Sequence, residues 1–163
     1  GIERDEFANN MGAMISLKQR DRAVSICDQA QKEGAKAVTG ARKLNNKGFF
    51  LEPTVFADVD QNMEIAQTEI FGPVLAIIPF NDEDDAIKIA NDTPYGLAAY
   101  LQTGSKERAD RVSRRLRAGA VHVNGGGFNY GSPFGGYKQS GNGREGGDMG
   151  IEDYLETKTL HNG

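Results

Sequence analysis

Apolar side chains at Ala23, Ile26, Cys27 and Ala30 follow the i, i+3, i+4, i+7 spacing of one helical face, which predicts a helix over residues 16–34. Ser16 and Gln19 have the spacing of a capping box, and Gly34 stands where a left-handed C-cap is needed. AKAVTG (35–40) reads as a short buried strand and Asn45–Gly48 as a turn. FFLEPTVF (49–56) is extended but contains Pro53, which predicts an edge or bent strand. From Val74 the pattern becomes regular. VLAIIPF is a strand, DEDDAIKIAND a helix with acids in its first turn, and GLAAYLQTG (96–104) a strand. A helix follows, capped by Ser105, with an Ala109–Val112–Leu116 stripe and Gly119 as its stop; AVHVN (120–124) is then a strand.

Strand–helix–strand–helix–strand at this pitch predicts an α/β fold: right-handed crossovers and a parallel sheet with helices on both faces. The near-continuous apolar run VLAII predicts burial of that strand on both sides. No linker or internal repeat interrupts the chain, which predicts one compact unit. Residues 147–155 can form a short helix. TKTLHNG at the end would be a strand with nothing obvious in this chain to pair with. Open parallel sheets hold ligands at the carboxyl ends of their strands, so the glycine-rich loop after Asn124 is a candidate site by topology.

Composition changes the picture in few places. The 163 residues are 38% apolar and 26% charged, which is globular rather than disordered. Glycine, at 21 residues, is over-represented and crowds the region after 119. A net charge of −4 argues against a general nucleic-acid binder, and the six basic residues between Lys106 and Arg117 read as a solvated helix face. One cysteine precludes an internal disulfide and points to a reducing, cytoplasmic setting, with a bacterial or organellar matrix as the alternative. No apolar run reaches a membrane span, and no signal pattern opens the chain.

Candidate chemistry is sparse. Gly141, Gly143 and Gly146 match G-x-G-x-x-G, but no strand precedes them, so a dinucleotide cradle is rejected in favour of a glycine-dependent loop. Cys27 falls in the apolar stripe and reads as core. His122 and His161 have no acid or cysteine spacing around them that suggests a metal site or triad. Glu69 and Phe71, set just before the VLAII strand, and the loop Phe128–Phe134 have no role that spacing alone assigns. Read alone, these residues leave a nucleotide-fold-like α/β unit with no defined reaction.

TEIFGPVL, AIKIANDTPYGLAAYLQT, AGAVHVN, SPFGGYKQSGNGRE and EDYLETKT, in that order, resemble the carboxyl-terminal part of the aldehyde dehydrogenase superfamily. The resemblance covers the chain from MGAMIS (11–16) onward. It implies that Glu69 takes the nicotinamide ribose hydroxyls of NAD or NADP, that Phe71 packs by the nicotinamide, and that Phe128 and Phe134 line an aldehyde tunnel. A carboxylate suits a vicinal diol because it accepts two short, charge-assisted hydrogen bonds. An apolar sleeve suits an aldehyde. Asn124 is taken as loop geometry. The resemblance also pairs Arg144 with Glu156, tying loop to tail.

Residues 1–154 would then be the later half of a catalytic domain, and 155–163 an oligomerisation strand joining copies of the chain. The family's catalytic cysteine, general-base glutamate, oxyanion-hole asparagine and dinucleotide domain would fall before Gly1. The implied reaction is oxidation of an aldehyde to an acid through a thiohemiacetal and a thioester, carried out by the longer parent. The isolated chain is expected to be inactive. No metal, nucleic acid or membrane partner is implied. The competing expectation is a non-catalytic assembly or nucleotide-binding module.

Overall fold

A computed structural model describes residues 11–44 and 48–163. The Asn45–Gly48 turn lies largely outside the described residues. The chain divides into two compact units, residues 1–81 and 82–163, where one unit was expected. Strand pairing among the described residues follows the same division, giving one three-stranded and one two-stranded sheet instead of a continuous one.

In the first unit, helix α1 (Leu17–Glu33) starts and stops where the sequence predicts. The Ser16 hydroxyl accepts from the Gln19 N–H at 3.2 Å, and Gly34 ends the helix at φ 104°. Ala23, Ile26, Cys27 and Ala30 are its buried face. The capping box is only half formed, because the Gln19 side chain reaches elsewhere. Strands β1 (Lys36–Thr39), β2 (Thr54–Ala57) and β3 (Val74–Ala76) follow, with α2 (Glu64–Gln67) between the last two. β2 lies between the others, antiparallel to β1 and parallel to β3.

Three expectations change here. β1 is exposed along its whole length, not buried. β2 is central, not an edge, because Pro53 precedes its first residue and removes no ladder donor. VLAII is not buried on both sides: Leu75 and Ile77 are about half exposed, while Val74, Ala76 and Ile78 pack on the core. The apolar stripe of α1 packs against the face carrying Phe56, and Phe56, Val59 and Cys27 are the largest fully buried side chains. Thr54 is a buried polar group with full satisfaction: its hydroxyl donates to the Glu52 carbonyl at 2.7 Å and accepts from Ala41 N–H at 2.8 Å.

The second unit runs α3 (Glu83–Asn91), β4 (Ala98–Leu101), α4 (Lys106–Ser113) and β5 (Ala120–Val123), with β4 and β5 parallel in register from Ala98–Ala120 to Leu101–Val123. Asp82 and Ser105 cap α3 and α4 through their side chains. α4 ends at Ser113, well before Gly119, so only Val112 of the anticipated stripe is buried. The arginines of this stretch are not simply solvated. Arg108 and Arg111 meet Glu83 at 3.3 and 2.8 Å, and Arg115 meets Asp84 at 2.6 Å. The Arg111 hydrogen bond holds the Glu83 carboxyl below the usual carboxylate range. A 3₁₀ helix covers 149–154, as anticipated, and residues 155–163 are exposed and form no strand among the described residues.

Apolar burial is thin in this unit, where Ile87 and Val112 are its buried hydrophobic side chains among the described residues. Backbone approach takes its place. A methyl group on Gly119 would run into the carbonyl of Gly135, and one on Gly135 would meet Arg144 Nη1 at 2.8 Å. That close stacking of chain on chain is why glycine accumulates here.

Candidate functional site

The stretch Thr68-Glu69-Ile70-Phe71-Gly72 links α2 to β3 without secondary structure of its own. Two side chains of α1 hold it. Gln19 Nε2 donates to the Ile70 carbonyl at 2.8 Å, and the Arg22 guanidinium donates at 3.2 Å to the carbonyls of both Glu69 and Ile70. Gln19, Arg22 and the buried Ala23 lie on neighbouring positions of one helix face. Ile70 is buried beneath this clamp, whereas Glu69 and Phe71 on either side of it point outward.

Phe71 is 76% exposed at φ 54°, a left-handed conformation that a phenylalanine adopts only at a cost. Among the described residues, no hydrogen-bond donor reaches the Glu69 carboxylate. An exposed aromatic ring on strained backbone, two residues from an unengaged carboxylate, is poor economy for folding but well arranged for holding a ligand. Arg22 was not singled out from the sequence, and Gln19 only as a capping residue. Their signal is positional: polar side chains in the turn just before the first buried residue of the helix stripe.

The second group lies in the loop after β5. Asn124, at φ 50°, returns its side chain to Thr103 and so serves loop geometry. Phe128 and Phe134 come together edge to face at 6.1 Å between centroids, and Tyr130 meets Phe128 at 5.1 Å. All three rings are at least 42% exposed, forming an aromatic cluster that faces outward. Phe134 is anchored by its backbone, which exchanges two hydrogen bonds of 2.7 Å with Glu145. A cavity of about 320 Å³ opens beside it, lined among others by Leu97, Phe134, Asn142, Arg144 and Asp153.

Arg144 does not reach Glu156. Its Nη1 donates to the carbonyls of Gly136 and Gly143 at 3.0 and 2.8 Å, and its guanidinium lies 5.6 Å from the Tyr137 ring. The expected tie from loop to tail is replaced by one within the loop: glycine backbones with no side chains of their own leave their carbonyls open to the arginine. Arg117 approaches the same ring at 5.9 Å.

The remaining candidates are quiet. Cys27 is fully buried, and burial, with the nearby Asp28 charge second, pushes its thiol up to about 11, which makes it a poor nucleophile. His122 stacks on Tyr100 at 5.0 Å and its Nδ1 pairs with the Gly126 carbonyl at 2.7 Å. No group of three or more His, Cys, Asp or Glu suited to a metal occurs among the described residues, and no helix among them is long and apolar enough to cross a membrane.

Known proteins match this chain over most of its length. A 3-succinoylsemialdehyde-pyridine dehydrogenase from a Pseudomonas species is 47% identical over 154 residues, spanning 93% of this chain and 32% of that protein. The crystal structure of a Mycobacterium tuberculosis aldehyde dehydrogenase complexed with NAD+ superposes with a TM-score of 0.84 at 49% identity, over 88% of this chain and 30% of that one. A variant of aldehyde dehydrogenase C from Pseudomonas syringae, complexed with NAD+ and octanal, gives 0.85 at 47% identity, over 90% and 31%. The chain thus spans about a third of the length of the relatives it matches. The sequence model of the aldehyde dehydrogenase family matches residues 2–160, and with that extent of agreement in sequence and fold this chain belongs to the aldehyde dehydrogenase family.

Proposed function

We propose that this chain works within an NAD(P)-dependent aldehyde dehydrogenase about three times its length, as the part that grips the nicotinamide end of the cofactor and walls part of the aldehyde path. The observation that carries this reading is the turn at 69–71: an exposed carboxylate without a protein donor among the described residues, beside an outward phenylalanine on strained backbone, both aimed by the Gln19–Arg22 clamp. The residues fit the group. Glu69 can accept two hydrogen bonds from a ribose diol, and the Phe71 ring can rest against a flat heterocycle. The cofactor, when bound, supplies the hydride acceptor.

The chain's own contribution is positioning. Glu69 fixes the sugar, Phe71 limits where the ring can lie, and the Phe128–Phe134 cluster offers an apolar wall to the carbon chain of an aldehyde. The nucleophile must come from the remainder of the parent enzyme, because Cys27 is sealed in the core and its thiol is held protonated at neutral pH. The isolated chain is therefore inactive in this reading. Residues 155–163, exposed throughout and carrying Leu160 at 80% exposure, are free to add a strand to a second copy.

The test is Glu69→Gln in the full-length enzyme, with NAD+ and NADP+ affinity measured by calorimetry. Loss of one charged acceptor should weaken cofactor binding roughly tenfold or more. Unchanged affinity for both cofactors would remove Glu69 from the site and the reading with it.

A further inference from the structure

Lys138 combines two features that need explaining together. It is a non-glycine residue at φ 54°, and its ammonium donates to two main-chain carbonyls, Asn91 O at 2.6 Å and Thr93 O at 2.9 Å. Those carbonyls belong to the end of α3 and the residues just past it, where the helix leaves unpaired acceptors and the negative end of its dipole. A cation there is doubly favoured, and the strained backbone is held in place by it.

The neighbours of Lys138 are fastened to the same segment. Gln139 N–H donates to Pro94 O at 3.0 Å, Tyr137 N–H to Gly96 O at 2.9 Å, and Gly96 N–H to the Ser140 hydroxyl at 3.0 Å. The Asn91 side chain completes the junction, donating to Arg115 O at 2.9 Å and accepting from Arg117 N–H at 2.7 Å. One ammonium therefore sits where the end of α3, the approach to β5 and the aromatic loop meet.

Between Lys138 and Phe134 stand only Gly135, Gly136 and Tyr137. Glycines normally decouple what lies on either side of them. Here they cannot, because both are wedged: a methyl on Gly136 would lie 2.6 Å from Ser140 Cβ, and Gly135 is pressed between Gly119, Gly143 and Arg144. A shift at Lys138 is passed along a packed backbone to Phe134.

We propose that Lys138 is a positioning residue for the aldehyde site, setting the Phe134 ring through the wedged pair Gly135–Gly136. The proposal rests on the reading of Phe134 as part of the aldehyde wall. It concerns a side chain that touches neither substrate nor cofactor, and it predicts that aldehyde selectivity depends on a lysine bound to the end of a helix.

The test uses the full-length enzyme with Lys138→Met, Lys138→Arg and Phe134→Ala. KM and kcat are measured at saturating cofactor for a two-carbon and an aromatic aldehyde, NAD+ affinity by calorimetry, and Tm by scanning calorimetry. Lys138→Met should raise KM for the aromatic aldehyde roughly tenfold, leaving KM for the two-carbon aldehyde, kcat and NAD+ affinity unchanged. Lys138→Arg should recover most of the loss, and Phe134→Ala should raise KM for the aromatic aldehyde at least as much. A Lys138→Met enzyme with lowered Tm but unaltered aldehyde KM would reduce the lysine to a structural brace and overturn the proposal. If Phe134→Ala leaves aldehyde KM unaltered, the wall reading itself fails and the proposal falls with it. Should Lys138→Met not fold, Lys138→Gln, whose amide still donates, carries the same comparison with a smaller expected shift.

Discussion

Asn124 Oδ1 accepts the Thr103 N–H at 2.8 Å while Asn124 Nδ2 donates to the Thr103 carbonyl at 2.8 Å, so one side-chain amide mimics a strand pairing just beyond the ends of β4 and β5. The residue does this at φ 50°, which asparagine tolerates better than most. Replacement by alanine removes both hydrogen bonds and adds left-handed strain, which should destabilise the protein by about 2 kcal/mol. Asn124→Gly keeps the backbone angle and should cost only about half as much. Urea midpoints of the two variants check the order, and an alanine variant no less stable than the glycine one would contradict it.

Gly119 has no room for a side chain, because its missing Cβ points at the Gly135 carbonyl. Gly119→Ala should cost about 3 kcal/mol, at the upper end for overpacking, since the obstacle is backbone rather than a movable side chain. Thermal melting measures it. Little change in Tm would mean that the two segments separate readily.

Arg22 is expected to matter for cofactor binding although it points at carbonyls rather than at a ligand. Arg22→Met removes three donor contacts to Glu69 and Ile70 and leaves Gln19 to hold the turn alone. NAD+ affinity in the full-length enzyme should fall roughly tenfold. Arg22→Lys should recover only part, because lysine lacks the planar guanidinium fork that places three donor contacts on these two carbonyls. Titration calorimetry on both variants gives the answer.

Cys27 makes stability depend on alkaline pH. Its thiol is raised from an ordinary value of 9.0 to about 11 by burial, with the Asp28 charge adding to it. The folded state therefore favours the protonated form. That stabilisation is fully present below about pH 9 and is lost as pH rises through about 11, a change of about 3 kcal/mol. Cys27→Ala should remove this alkaline dependence while leaving a small cavity, and urea unfolding at pH 8 and pH 10.5 separates the two effects. In the native protein at pH 8, thiol reagents should react only on unfolding.

Local rules were enough wherever one segment decides its own structure. Ser16 and Ser105 cap the helices that follow them, Gly34 ends α1, and the Ala23–Ile26–Cys27–Ala30 stripe is buried, because helix spacing and capping need only neighbours within a turn or two. The parallel pairing of β4 with β5 also follows from the strand–helix–strand order. The ordered strings around Glu69, Phe134 and Arg144 carried the family, although spacing by itself assigned them no chemistry.

What the chain does at long range depended on the folded structure. Pro53 did not make β2 an edge, Leu75 and Ile77 stayed half exposed, and Gln19 left its expected capping role to hold Ile70, 51 positions away. Arg144 turned to glycine carbonyls rather than to Glu156, and Lys138 found the end of α3. In each case the partner is a main-chain carbonyl or a packing face. Such groups are present at every residue, so no residue type marks them in a sequence, and only the three-dimensional path of the backbone decides which of them a side chain meets.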